Sequence, residues 1–476
     1  MANFTTIPLI IHGLDVLDES TYESAPLFKP NPDNCSNRSV YAVGATPALC
    51  MQAVESCANA FATCRDSPPY ERRRLFNNLA KLLQDERDEI QTLIQEEILC
   101  SALWAKINVN DSIALAEEVA ATASSGILSG LVPIIRDTEA HAVVVKEPFG
   151  VVLGIAPWNA PLILGLRAVA AAVAAGNTVI LKGSEISPRT HYLLAKLFQD
   201  AGFPPGVVNY VQHAPEDAVS CFEAIISHRA VQKCNFTGST AVGQHVAQRA
   251  AFYLKPVLLE LGGKNCAIVL EDADLTKAAD QVLFGAFLNS GQICMSTDMV
   301  LVAQSVEQQF RTILHQKRPN AVLQQVTEVI SLKSRSRIDA LVSNAVEKGA
   351  ATTAVEVGTC GPSVVIEDVT PDMDFWKQEA FGPLLGLRVF DEEDVAVQMV
   401  NHSPYGLSGA IFSRNYLKAL KLAKKLDMGA IHINSATVHD EACLPHGGRK
   451  ESGWGRFGSH WGFEEFLQTK TIILHP

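Results

Sequence analysis

Val151-Val152-Leu153-Gly154-Ile155, a small-residue helical run from Pro161 to Ala175, then Thr178-Val179-Ile180-Leu181: this stretch decides the fold. Two short β-branched runs flank one run with helical periodicity, as in a βαβ unit. The rhythm continues outward. A helix is expected over Thr190 to Ala201, a strand over Val207 to Val211, a helix over Ala214 to Ser227 and a strand around Lys233 to Phe236. A helix over Ala241 to Phe252 and the strand Val257 to Leu259 follow. Strands alternating with helices imply a doubly wound parallel sheet, and such sheets bind ligands beyond the carboxyl ends of their strands.

Upstream, Pro47 to Glu97 reads as two helices separated by Ser67-Pro68-Pro69, and a further helix is expected from about Asp111 to Ser124. Residues before Ala45 are mixed, with a strand in IPLIIHGLDVL and turn signals at Lys29-Pro30-Asn31-Pro32-Asp33-Asn34. Downstream of residue 262 a second α/β rhythm sets in. Its strands are Cys266 to Leu270, Val300 to Ala303, Leu384 to Phe390 and Ala430 to Asn434, and its helices Ser336 to Glu347 and Lys418 to Leu426. A Gly-rich tail (Gly447-Gly448, Gly453, Gly455, Gly458) reads as a loop before a last strand, Thr469 to Leu474.

The bulk numbers narrow the function. A chain of 476 residues exceeds one ordinary core, so two or three domains are expected. A net charge of −12 argues against nucleic-acid and anionic-membrane partners. Arg72-Arg73-Arg74 and Lys424-Lys425 fall in helical runs and read as solvated faces. The 11 cysteines are scattered without a CxxC, which speaks against zinc or redox motifs; no metal site is expected, and a reducing cytoplasmic compartment is. The longest small apolar run, Val169 to Ala175, is far too short to span a bilayer.

Five junctions carry candidate chemistry. Asn289-Ser290-Gly291-Gln292-Ile293-Cys294-Met295-Ser296-Thr297 sets a thiol in a polar turn, as a nucleophile requires. A thiolate attacking a carbonyl needs an oxyanion donor and, for hydrolysis, a base. Asn159, in Pro157-Trp158-Asn159, supplies a side-chain amide, and Glu260, in Leu259-Glu260-Leu261-Gly262-Gly263, a lone carboxylate after an apolar strand. Phe236-Thr237-Gly238-Ser239-Thr240-Ala241-Val242-Gly243 follows a strand, opens a helix and keeps two of three dinucleotide-fingerprint glycines. The generic fingerprint gives Glu260 to a ribose, but Lys182 and Glu185 in Leu181-Lys182-Gly183-Ser184-Glu185 compete, and spacing alone does not choose.

These stretches, with EAFGPLLG (379–386) and HGGRKESGWGRFG (446–458), resemble the aldehyde dehydrogenase superfamily, and the resemblance runs along essentially the whole chain. It implies a Rossmann-like NAD-binding domain (1–138 and 154–262), an α/β catalytic domain (263–440) and a small β oligomerisation element (139–153 and 459–476). The Gly-rich loop 441–458 would lie near the active site. It further implies Cys294 as nucleophile, Asn159 with the Cys294 backbone amide as oxyanion donors, and Glu260 as the base for deacylation. Lys182 and Glu185 would hold the adenosine ribose, Gly238 and Ser239 the pyrophosphate, and Glu379 the nicotinamide ribose, with Trp158 and Phe381 beside the ring.

Relatives that deacylate with coenzyme A generally lack a glutamate at the position of Glu260, so hydrolysis is expected. Glu185 would repel a 2′-phosphate, favouring NAD over NADP. Ala160, Leu164 and Arg167 would line the substrate mouth, with Trp104 a further contact. The chain looks like the salicylaldehyde and vanillin dehydrogenase branch, hence an aromatic aldehyde. A semialdehyde whose carboxylate meets Arg167 is the alternative, and Arg167 in a structural ion pair is equally compatible. A cysteine thioesterase or a non-catalytic relative completes the alternatives. A homodimer or homotetramer is implied. Departures are Gly183 in place of proline, which is expected to loosen the adenosine loop, a shortened segment near 305–334, and His446 and Arg449 in place of phenylalanine and an apolar residue.

Overall fold

A computed structural model of the protein describes residues 6–17, 27–29, 40–137, 139–316, 328–355 and 363–476. The turn expected at 30–34 and most of the shortened segment (317–327) lie outside the described residues. Among the described residues no helix is long and apolar enough to cross a membrane.

Among the described residues the first sheet has eight strands. Five are parallel and run, in spatial order, Val257–Glu260, Val231–Thr237, Val151–Ile155, Thr178–Lys182 and Val208–Val211. Chain order reverses beside Val151–Ile155, whose neighbours are the strand that follows it and one two strands later. The loops leaving Val151–Ile155 and Val231–Thr237 therefore part there and open a crevice. Pro157-Trp158-Asn159 leaves one lip and Gly238-Ser239 the other. Leu9–Ile11 and Leu14–Val16 extend one edge antiparallel.

Close packing sets where the lips lie. A Cβ on Gly154 would sit 2.6 Å from Ala168 O, so the helix Pro161–Ala174 presses directly on its strand. Pro161 opens that helix, where its missing N–H costs nothing and its fixed φ suits the first turn. Asn159 is thus held between a strand end and a helix start.

Several expected boundaries change. Val151–Leu153 belongs to this sheet and not to the oligomerisation element, because Gly150 (φ +137°) ends the preceding strand and re-aims the chain. The Gly-rich tail is not all loop: Gly453–Trp454 pairs antiparallel with Leu259 and Glu260. That close approach admits only glycine, since a Cβ on Gly453 would meet Leu259 O at 2.1 Å. The helix expected from Asp111 starts at Ala102, where Ser101 Oγ accepts from Trp104 N. The region Pro47–Glu97 forms three helices, with a second break at Glu86 that lets Ile90, Leu93 and Ile94 turn into the core.

The second sheet has seven strands, with Asn265–Val269 between Thr297–Ala303 and Ser408–Phe412. The register slips between Asn265, paired with Thr297, and Cys266, paired with Met299. Asp298 is therefore an extra residue, bulged out of the ladder. His141–Pro148 and Leu467–Leu474 form a separate antiparallel ribbon. Its last strand leaves Ile472, Ile473 and Leu474 exposed.

Candidate active site

Cys294 lies in the turn that joins the second sheet's Thr297–Ala303 strand to the preceding helix. Asn289, Ser290 and Gly291 all have left-handed φ (50°, 55° and 69°). A Cβ on Gly291 would meet Gly382 O at 2.1 Å. Such backbone persists only where surrounding contacts over-determine it. They do so here. Asn265 Nδ2 donates to Cys294 O (2.8 Å) and Ser296 O (2.9 Å), while its Oδ1 accepts from Ser408 N (3.0 Å). Thr437 Oγ1 donates to Met295 O (2.7 Å), and Gln292 Oε1 accepts from Ile330 N (2.9 Å).

Asn159 Nδ2 donates to Gln292 O (3.0 Å), which leaves its second amide hydrogen for a ligand. Among the described residues no acceptor meets the Cys294 backbone N–H. These two donors fit an oxyanion. Trp104 does not reach the cavity wall; its indole N–H donates to Asn159 O (2.8 Å) and fixes the backbone of the oxyanion donor instead.

Glu260 is buried at the end of Val257–Glu260, and neither carboxylate oxygen has a hydrogen-bond partner among the described residues. It lies beside Cys294. Burial, then Glu260 and Glu379, push the Cys294 thiol well above its usual range, against a smaller opposing pull from Arg167. The thiol is therefore the resting form and needs a nearby base to become a nucleophile.

A cavity of about 650 Å³ brings together Trp158, Asn159, Leu164, Lys182, Glu185, Gly238, Ser239, Glu260, Cys294, Glu379 and Phe381. Lys182 Nζ and Glu185 Oε2 are 3.8 Å apart at a strand's carboxyl end. Ser239 starts the helix Thr240–Phe252 without spending its hydroxyl on the cap, leaving an anion-binding helix N-terminus. An adjoining apolar cavity of about 370 Å³, walled by Val219, Phe222, Phe236 and Val242, shares Lys182. At the other end Trp158 and Phe381 meet edge to face, ring centres 6.0 Å apart. Glu379 accepts from Gly263 N (3.1 Å), and a Cβ on Gly262 would meet Glu379 Oε2 at 2.4 Å. Burial, then Asp298, push Glu379 up to about 8. An apolar slot, an anion site at a helix start and a carboxylate beside aromatic rings, around two adjoining cavities, fit an extended dinucleotide such as NAD.

Gly183 departs from the expected proline without loosening its loop. Its N–H donates to Val211 O (3.0 Å), a bond proline lacks, and Tyr210 and His191 fill the space a side chain would need.

Ala160 and Arg167 lie off this cavity. Arg167 forms a close ion pair with Asp440 instead of presenting a free guanidinium. Both line a second cavity, of about 490 Å³, together with Asp111, Glu117, Glu118 and Glu441. Burial, then Asp440, push Asp111 up to about 6. Among the described residues no group of three or more His, Cys, Asp or Glu is placed to hold a metal ion.

Sequence reading passed over Asn265, Asp298 and Asp440. Asp298 Oδ2 lies 3.1 Å from Lys264 Nζ and accepts from Ala380 N (3.1 Å), so the bulge ties the second sheet to the Glu379–Phe381 segment. The only local signal was Lys264-Asn265, polar residues at the start of an apolar strand.

The aldehyde dehydrogenase family pattern matches residues 27–472. A vanillin dehydrogenase of a Pseudomonas species is 39% identical over 98% of both chains. A salicylaldehyde dehydrogenase from Pseudomonas putida, solved with salicylaldehyde, superposes with a TM-score of 0.93 at 33% identity, covering 99% of this chain and 98% of that one. A betaine aldehyde dehydrogenase from Staphylococcus aureus, solved with NAD+, gives 0.90 at 28% identity over 98% and 94%.

Proposed function

Since this chain belongs to the aldehyde dehydrogenase family, we propose that it oxidises a neutral aromatic aldehyde to the carboxylic acid with NAD, through Cys294, Asn159 and Glu260. The observation that carries this reading is the convergence of those three side chains at one end of a dinucleotide-shaped cavity.

Glu260 takes the Cys294 proton, and the thiolate adds to the aldehyde carbon. The oxygen of the resulting thiohemiacetal faces the Asn159 amide and the Cys294 N–H. NAD, when bound, supplies the hydride acceptor. Trp158 and Phe381 border its nicotinamide end, and Glu379 holds the ribose there. Glu260, having passed its first proton to solvent, then takes a proton from water as that water attacks the thioester carbon; the C–S bond breaks, and Cys294 leaves as thiolate.

Glu185 supports NAD over NADP, because a carboxylate placed for ribose hydroxyls repels a 2′-phosphate. The acidic second cavity and the Arg167–Asp440 pair disfavour a carboxylate-bearing semialdehyde, since the one cation at that mouth is already matched. The vanillin and salicylaldehyde dehydrogenases above act on aromatic aldehydes by name. The exposed apolar strand Leu467–Leu474 supports a homodimer or homotetramer built through that edge.

The test is NADH formation with benzaldehyde, salicylaldehyde, vanillin and succinic semialdehyde. A higher kcat/KM for the semialdehyde overturns the substrate assignment. Glu260→Gln is expected to give one burst of NADH and then stall, and sustained wild-type turnover overturns the base assignment.

A further inference from the structure

We propose that His446 is a positioning residue for the catalytic base: its imidazolium, anchored on Asp440, holds the Glu260 carboxylate charged and aimed at the Cys294 acyl group. The inference rests on Glu260 being the base, as proposed above.

The geometry is a chain of four charged groups from three parts of the fold, with Glu260 and His446 buried and Arg167 and Asp440 partly buried. Arg167, on the helix Pro161–Ala174, pairs with Asp440. Asp440 Oδ1 lies 3.5 Å from His446 Nδ1, and His446 Nε2 lies 3.8 Å from Glu260 Oε1. The His446 backbone is fixed by a reciprocal bridge to Phe457, with N–H···O distances of 2.9 and 2.8 Å. Arg167 also sits over the Phe457 ring, 5.9 Å from its centre.

Two observations give the chain a purpose. Nε2 of His446 and both oxygens of Glu260 are buried and have no hydrogen-bond partner among the described residues. A buried carboxylate without donors takes up a proton unless a cation stands within about 4–6 Å. His446 is that cation, because Arg167 is matched by Asp440. With two cations and two carboxylates the chain is neutral; without His446 it carries an excess negative charge, and Glu260 is the member left unmatched.

The other groups facing this chain are acidic or neutral. Asp111, from the helix Ala102–Ala123, and His432, which burial pushes down to about 4 and so keeps neutral, face Asp440, and Cys294 and Glu379 face Glu260. Burial, and after it the Arg167 charge, oppose a charge on His446, but Asp440 and, to a smaller extent, Glu260 outweigh them and raise the imidazole to about 9. It stays a cation through the range in which a carboxylate ionises. It does not itself move a proton in the deacylation written above.

The test isolates deacylation. In enzyme saturated with NAD, p-nitrophenyl benzoate acylates Cys294 with a burst of nitrophenolate that counts active sites. The later steady release, divided by that burst, is the deacylation rate, to be followed from about pH 5 to about pH 10. His446→Phe places there the side chain the family resemblance expects, and His446→Gln keeps a polar group without the charge. In both, the acid limb is expected to move up by at least about one pH unit. Deacylation then falls roughly tenfold on the acid side of the wild-type limb and converges with wild type on the alkaline side of the variant's limb. The limb is read from the shape of the profile, so a partly misfolded preparation does not hide it. An acid limb within about 0.3 units of wild type in both variants overturns the proposal. Glu260→Gln, run in parallel, separates the two readings. If it stalls while the His446 variants keep the wild-type limb, the base stands and only the role of His446 falls; if it deacylates normally, the base assignment itself fails.

Discussion

Asn265→Ala removes the side chain that fixes the nucleophile's turn while touching neither cofactor nor substrate. Three hydrogen bonds go: two from Nδ2 to Cys294 O and Ser296 O, and one from Ser408 N to Oδ1. Asn265 is 1% exposed, so the stranded partners gain little water. At about 1 kcal/mol for each bond, the loss is about 3 kcal/mol. For a domain of this size that lowers Tm by roughly 6–12 °C. Activity is expected to fall further than stability. Asn289 to Gly291 hold left-handed backbone only under such restraints, and a shift of about 1 Å at a reacting atom costs on the order of 10²-fold in rate. Asn265→Asp sharpens the test. It keeps the acceptor for Ser408 N but turns a carboxylate oxygen toward two carbonyl oxygens, so it is expected to be at least as damaging. The assays are thermal unfolding followed by circular dichroism, and NADH formation normalised to titrated Cys294. Wild-type Tm and kcat in both variants would refute the idea that this bond set places the thiol.

Two further outcomes follow from buried charges. Lys264→Met strands Asp298, which is 2% exposed, and is expected to cost about 3–5 kcal/mol; adding Asp298→Asn should recover most of it, and an additive double-variant cycle in urea unfolding rules out the pairing. Glu379, pushed up to about 8, is largely protonated at neutral pH and gains its charge as pH rises. If it accepts hydrogen bonds from a ribose, NAD should bind more tightly as pH climbs through about 8, and Glu379→Gln should flatten that trend in a fluorescence titration.

What could be read from the chain was what is local. Five parallel strands and their helices follow from β-branched runs alternating with helical periodicity; the strand boundaries shifted by a residue or two, while the helix expected from Ala214 starts at Ala218 behind a 3-10 turn. The cofactor and nucleophile stretches stood out because each is a polar or glycine-rich break after an apolar strand. What stayed hidden was long-range or irregular. Gly453–Trp454 looks like loop because its strand character comes entirely from pairing with Leu259 and Glu260, almost 200 residues earlier. The bulge at Asp298 leaves no mark on periodicity, since an apolar strand with one aspartate reads as a strand with a stray charge. Arg167 was weighed equally as a ligand and as an ion-pair partner. Only the fold decides between them, because Asp440 is 273 positions away.

The same distinction explains why the site sits on a seam. The first sheet supplies Asn159 and Glu260 from the ends of the two strands that flank Val231–Thr237, and the second supplies Cys294 from a strained turn. Neither sheet alone places a carbonyl carbon against all three. Apolar packing of Leu288, Ile293 and Ile330 into the first core is joined at this seam by directional polar contacts: Asn159 to Gln292, Glu379 to Gly263, and Ser452 Oγ to Gly262 O at 2.6 Å. A hydrophobic seam would tolerate sliding by a fraction of a side chain, whereas directional bonds weaken steeply with angle and so fix the approach of nucleophile to oxyanion donor. Substitutions at this seam should therefore lower kcat more than they lower Tm. Those in the apolar cores behind each sheet, such as Ile268→Ala, should do the reverse.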